Sequence, residues 1–120
     1  MSSERSTYII MGIDDPSGGP MEPPLEPRNG GIKRISNYTL HKEYQAKTSD
    51  TSSDCYINKI AAGPMVSDDG KFMIGSFFIV EGGRDDVERF YKNDPFFTKN
   101  VWKNVTCERY ISVQGIKAYP

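Results

Sequence analysis

The chain has 120 residues, with 15 Lys plus Arg against 16 Asp plus Glu and a formal net charge of -1. That length suits a single domain over residues 1–120, able to bury a core without metal or disulfide staples. The balanced charge argues against a nucleic-acid partner, and the longest apolar run, Phe77-Phe78-Ile79-Val80, stops at Glu81 well short of the ~18 residues of a membrane span.

Taken in chain order, Met1 to Thr7 lacks the apolar centre of a secretory signal and carries an acid, Glu4, that mitochondrial presequences avoid, so a cytoplasmic address is expected. From Tyr8 to Ile13 both alternating sets are apolar, the pattern of a strand covered on both faces. Asp14-Asp15-Pro16 ends it. Residues 14–31 hold Pro16, Pro20, Pro23, Pro24 and Pro27 together with Gly18, Gly19, Gly30 and Gly31, which reads as a long surface loop. The spacing of Ile32, Ile35, Leu40 and Tyr44 predicts one amphipathic helix over 32–47 with those four residues inward. The polar stretch 48–54 predicts a solvated loop that packs nothing and can be shortened with the fold intact.

A second strand is expected from Cys55 to Ala62, broken by Gly63-Pro64, and Ser67-Asp68-Asp69-Gly70 has the chemistry of a hairpin turn. Lys71 to Glu81 alternates as a third strand, again apolar on both sets. Gly82-Gly83 closes it, and Asp85 with Glu88 fits a capping box for a helix over 86–93 that turns Val87, Phe90 and Tyr91 inward. Asp94-Pro95 stops that helix, and the Asp94 carboxylate is suited to cap a further turn at Phe96 and Phe97. A last strand is expected over Val105 to Val113. The order β-α-β-β-α-β is the ferredoxin-like pattern of an α+β fold with a four-stranded antiparallel sheet. Its two helices cover one face only, so the doubly apolar strands imply that a second copy covers the other, giving a homodimer.

Few residues can carry chemistry. His41, the one histidine, reads either as a solvated side chain favoured near a helix C-terminus or as a general acid or base. Cys55 and Cys107 lack CxxC spacing and read as reduced strand residues. Asn37-Tyr38-Thr39 and Asn104-Val105-Thr106 match the glycosylation sequon by chance. Asp68-Asp69-Gly70 is turn chemistry rather than a calcium loop, and neither Gly30-Gly31 nor Gly82-Gly83 fits a phosphate-binding fingerprint. No metal and no cofactor is expected.

Several blocks in order resemble the YCII-related (YciI-like) family of small dimeric α+β barrel proteins: Ala62-Gly63-Pro64-Met65, Asp68 to Lys71, Ile74 to Glu81, Asp85 to Phe90 and Asp94-Pro95-Phe96. The resemblance implies that His41 and Asp94 form an acid–base pair in a sheet-lined pocket, with Gly63, Pro64, Gly75 and Ser76 at its floor and an aromatic wall drawn from Phe72, Phe78, Phe96 or Trp102. It further implies a cofactor-free lyase or isomerase acting on a small cyclic or phenolic compound, since one characterised activity of the family removes chloride from a chlorinated hydroxyhydroquinone. The chain departs from the family in a longer interval between His41 and Gly63 and a longer loop before His41. The alternatives are a non-catalytic module that binds a small-molecule ligand in the same pocket, and a purely structural dimer. Neither His41 nor Asp94 belongs to an apolar core, so substituting either is expected to leave the thermal midpoint within a few degrees.

Overall fold

A computed structural model describes residues 6–15 and 31–111. Residues 16–30 of the expected proline-rich loop and the end of the expected last strand, Ser112-Val113, lie outside them. The elements are β1 (Ser6–Asp14), α1 (Ile32–Ser36), α2 (Tyr38–Ser49), β2 (Asn58–Val66), β3 (Met73–Gly82), α3 (Arg84–Lys92), α4 (Pro95–Thr98) and β4 (Trp102–Tyr110). The strands form one four-stranded sheet in the order β2-β3-β1-β4, antiparallel at every pairing. The fold is therefore α+β on the β-α-β-β-α-β frame, with each crossover divided into two helices.

Alternation decides the core. On β1, Tyr8 and Ile10 are buried, and their cross-strand partners Val80 and Phe78 on β3 are buried with them. Val87 and Phe90 of α3, Phe96 of α4 and Trp102 of β4 join the same cluster. The intervening set, Ile9, Met11, Phe77 and Ile79, is half-buried and belongs to no core cluster among the described residues.

Two adjustments to the expected elements shape the site. The helix expected over 32–47 is two helices, because Asn37 interrupts it: its side-chain Nδ2 donates to the Lys33 carbonyl at 2.9 Å, while its own carbonyl accepts from the His41 N–H at 3.1 Å. Asparagine competes in this way with the helical ladder. Of the four residues expected inward, Tyr44 packs against the core and Ile35 is half-buried. Ile32 and Leu40 are 38% and 45% exposed, whereas Arg34 and Thr48 are buried. Helix α2 extends to Ser49, so Thr48 and Ser49 belong to it rather than to a solvated loop, and Thr48 packs fully. The second strand starts later than expected and runs through Gly63-Pro64 instead of breaking there. Proline is tolerated because β2 lies at the sheet edge, where a missing N–H breaks no ladder. Cys55 consequently lies in the preceding turn, while Cys107 is in β4; both thiols are free.

The remaining boundaries shift by a few residues. Hairpin residue Gly70 takes φ +73, and its N–H donates to the Ser67 carbonyl at 2.8 Å. The cap of α3 is Gly83 rather than Asp85, with no side-chain cap bond; Asp85 and Asp86 fall in the first turn, where negative charge faces the positive helix end. Glu88 pairs with Arg84 and Lys92 instead of closing a capping box.

Candidate functional site

The site begins at Asp94. Pro95 at the first position of α4 fixes the chain's entry, and the extended Asp94 caps that helix, its Oδ1 accepting from the Phe96 N–H at 2.8 Å. The side chain is fully buried, and two residues of α2 reach it. His41 Nδ1 lies 2.8 Å from Oδ1, and Gln45 Nε2 donates to Oδ2 at 2.7 Å. With both oxygens already accepting, the proton of this contact belongs to His41 Nδ1, so that in the neutral ring Nε2 is the acceptor nitrogen. The imidazole stacks on Phe96 at 3.9 Å between centroids and 1° between planes, and Trp102 meets it edge-on. Among the described residues Nε2 has no hydrogen-bond partner, and His41 lines a cavity of about 320 Å³.

A second network closes the cavity from the sheet side. Arg34, 4% exposed, holds Asp14 through Nη1 at 2.9 and 3.0 Å to the two carboxylate oxygens, and its Nη2 donates to Ser76 Oγ at 3.1 Å. Burial pushes the Asp14 carboxyl above its ordinary value even though the Arg34 guanidinium pulls it down. Trp102 Nε1 donates to the same Ser76 oxygen at 3.1 Å. The indole occupies the place a side chain would take at residue 12: a Cβ on Gly12 would lie 2.5 Å from the ring. Arg34 also sits over the Phe96 face, 4.8 Å from its centroid, so the two networks share one aromatic platform.

Lys59 of β2 completes the wall. Its Nζ donates to the Gln45 carbonyl at 2.9 Å, Thr48 Oγ1 at 2.8 Å and Ser49 Oγ at 2.7 Å, one acceptor for each ammonium proton. Burial lowers its pKa to about 8, against the upward pull of the Asp94 charge. Tyr44 donates to the Phe90 carbonyl at 2.8 Å, and burial together with the nearby Asp94 raises its phenol to about 12, so it stays neutral. Among the described residues the cavity lining includes Arg34, Lys42 and Lys59 but no Asp or Glu.

Of the residues expected from the sequence, the structure brings His41 and Asp94 into direct contact and places Gly63, Pro64 and Ser76 on the cavity wall. Gly75 is not on that wall; a Cβ there would collide with the Gly12 carbonyl oxygen, so glycine is needed for strand packing. Phe96 lies beneath the imidazole and Trp102 behind Ser76, while Phe78 lines the cavity and Phe72 is 38% exposed outside it. Full burial of Asp94 among three donors also corrects the expectation that its substitution is thermally silent. Sequence reasoning missed Arg34, Gln45 and Lys59. The signal for Gln45 was the spacing of His41, Gln45 and Thr48, a polar stripe at helical period; Arg34, set between two isoleucines, left none.

Among the described residues no group of three or more His, Cys, Asp or Glu gathers as a metal site, and no helix is long and apolar enough to cross a membrane. No protein-family model matches the chain, and no curated protein matches it. A solved structure does: 5-chloro-2-hydroxyhydroquinone dehydrochlorinase (TftG) from Burkholderia phenoliruptrix AC1100, in complex with 2,5-dihydroxybenzoquinone. The two are 26% identical with a TM-score of 0.60, over 88% of this chain and 93% of that one. The chain is thus similar in fold and, at that identity, in sequence to an enzyme that acts on a small ring compound.

Proposed function

We propose that the protein is a small-molecule enzyme of lyase or isomerase type, in which His41 and Asp94 act as one acid–base unit without a cofactor. The observation that carries this reading is the 2.8 Å contact of His41 Nδ1 with Asp94, which leaves Nε2 open to a cavity. Asp94 orients the ring and offsets the charge the imidazole gains, so Nε2 can take a proton from a substrate O–H and return it at carbon. In a chlorinated, hydroxylated ring the first proton goes from one O–H to the carbon that bears chloride. A second O–H then gives its proton to the freed Nε2, and its electron pair forms a C=O and shifts through the ring to that carbon as chloride leaves with its bonding pair, so that HCl is lost in all. Likeness to the dehydrochlorinase supports a cyclic, hydroxylated substrate. A cavity of about 320 Å³ is at the small end of ligand pockets and suits a single ring.

The test is chloride release from 5-chloro-2-hydroxyhydroquinone, together with exchange of deuterium from solvent into the ring hydrogens of 2,5-dihydroxybenzoquinone. The wild-type chain should accelerate at least one, and His41→Gln should lower that rate by roughly 10²- to 10⁴-fold, the usual contribution of a general base. Asp94→Asn should lose the rate as well, but at a cost of about 1–3 kcal/mol in stability, because an amide presents a donor where the carboxylate accepts. A wild-type rate no faster than that of His41→Gln in both assays would overturn the enzyme reading and leave the non-catalytic binding module.

A further inference from the structure

The Asp94 carboxylate is fully buried, so both of its oxygens need donors from the protein. They are not served alike. Oδ1 takes two, the Phe96 N–H and His41 Nδ1, each at 2.8 Å. Among the described residues Oδ2 takes one, Gln45 Nε2 at 2.7 Å. The sense of that bond is fixed, because a carboxylate only accepts and an amide oxygen turned toward it would be repelled. His41 and Gln45 stand four residues apart on α2, so one helix face brings a ring nitrogen to one oxygen and an amide to the other. The main chain at Gln45 is tied down as well: its carbonyl accepts from Lys59 Nζ of β2 at 2.9 Å and from Thr48 Oγ1 at 3.2 Å. The amide is thus braced from the edge strand and from its own helix.

We infer that Gln45 is a positioning residue for His41: by occupying Oδ2 of Asp94 it fixes the plane of the carboxylate and keeps Oδ1 as the acceptor of the Nδ1 proton. A carboxylate held at one oxygen can turn about its Cβ–Cγ bond, and a buried oxygen without a donor drives it to do so. Once it turns, the tautomer with its proton on Nδ1 loses its acceptor. Stacking on Phe96 does not replace that acceptor, since it fixes the plane of the imidazole and not the nitrogen that carries the proton. The proton then settles on Nε2, and His41 has no lone pair to offer a substrate. The inference rests on the acid–base reading for its consequence in rate; the effect on the ring is independent of it.

Because the chain has one histidine, the ring can be read directly. The experiment records the imidazole nitrogen resonances of isotope-labelled full-length protein, without ligand, at a pH where the ring is neutral. Wild type should show a protonated Nδ1 and a bare Nε2. Gln45→Met keeps the length of the side chain and removes the donor, and should shift the resonances toward the tautomer protonated at Nε2. Loss of stability alone would not exchange the two nitrogens. In the chloride-release and deuterium-exchange assays the same variant should lower kcat by roughly a hundredfold with KM little changed, the usual cost of a reacting group misplaced by about 1 Å. If Gln45→Met fails to fold, Gln45→Leu takes its place, and a wild-type measurement decides without any variant: one Gln45 side-chain amide proton should exchange slowly with solvent, and its resonance should move as the His41 ring is titrated. A wild-type ring protonated at Nε2, ring nitrogens unmoved in the variant, or a Gln45 amide that exchanges freely and ignores the titration would overturn the inference. The expected ring signatures in a protein that turns over neither compound would defeat the acid–base reading and leave Gln45 in its role. Turnover lost in His41→Gln but kept in Gln45→Met, with ring nitrogens unmoved, would do the reverse.

Discussion

Lys59 shows how a single side chain can be fully satisfied and still destabilising at neutral pH. All three of its protons have acceptors, which matches the ammonium form, yet burial holds its pKa near 8 against 10.5 for a free lysine. Between those values the unfolded chain binds the proton more tightly than the folded one, so the penalty is fully present below pH ~8 and shrinks as pH rises toward ~10.5. Stability measured by urea midpoint should therefore increase from pH 8 to 10, before the raised phenol of Tyr44 reverses the trend at higher pH. In Lys59→Met that rise should be absent; an equal rise in both proteins would mean that another group is responsible. The three bonds of Lys59 go to the last turn of α2, so the residue ties the edge strand to the helix that carries His41.

At the scale of elements, the site depends on how closely β1 and β4 approach. The Trp102 ring lies where residue 12 would carry its Cβ, and it is this approach that brings the indole N–H to Ser76. Gly12→Ala should displace the ring and cost about 1–3 kcal/mol, the usual penalty for overpacking a core, together with a shifted indole resonance. Thermal or urea unfolding checks the first and the spectrum checks the second; an unchanged midpoint would mean that the ring moves freely. The division of the first crossover at Asn37 serves the same geometry, since α1 then directs Arg34 to Asp14 and Ser76 while α2 directs His41 and Gln45 to Asp94. Helix α2 leaves Tyr38 and Leu40 exposed, while Tyr44 packs against the core beside this polar stripe.

For the whole molecule, the second face of the sheet calls for a partner. Ile9, Met11, Phe77 and Ile79 alternate with the core set and join no core cluster among the described residues, and Ile13 at the end of the same row is 40% exposed. We propose that a second copy of the chain covers this face. Light scattering at micromolar concentration should give about twice the 13.5 kDa of the chain. Ile79→Glu, which places a charge in the middle of that row, should shift the mass toward the single chain. A wild-type protein with the mass of one chain would end the dimer proposal and leave the face to be explained otherwise.

What the sequence determined by itself is what depends on near neighbours in the chain. Period-two alternation placed β1 and β3, the Ser67 to Gly70 chemistry placed the hairpin, and Asp94-Pro95 marked a helix stop whose carboxylate caps the next turn. The likeness of ordered blocks to a known family pointed to His41 and Asp94 before any distance was known. The tertiary structure alone decided which polar side chains turn inward. Arg34 meets Asp14 and Ser76 across 20 and 42 residues of chain, and Gln45 meets Asp94 across 49. Partners so distant leave no periodic trace, because a buried hydrogen bond depends on where two elements cross and not on the residues beside either one. Hydrophobic spacing consequently placed Tyr44 of α2 correctly and Leu40 wrongly: Leu40 could be left in water at modest cost, whereas the carboxylate of Asp94, once buried, had to be met by donors from that helix.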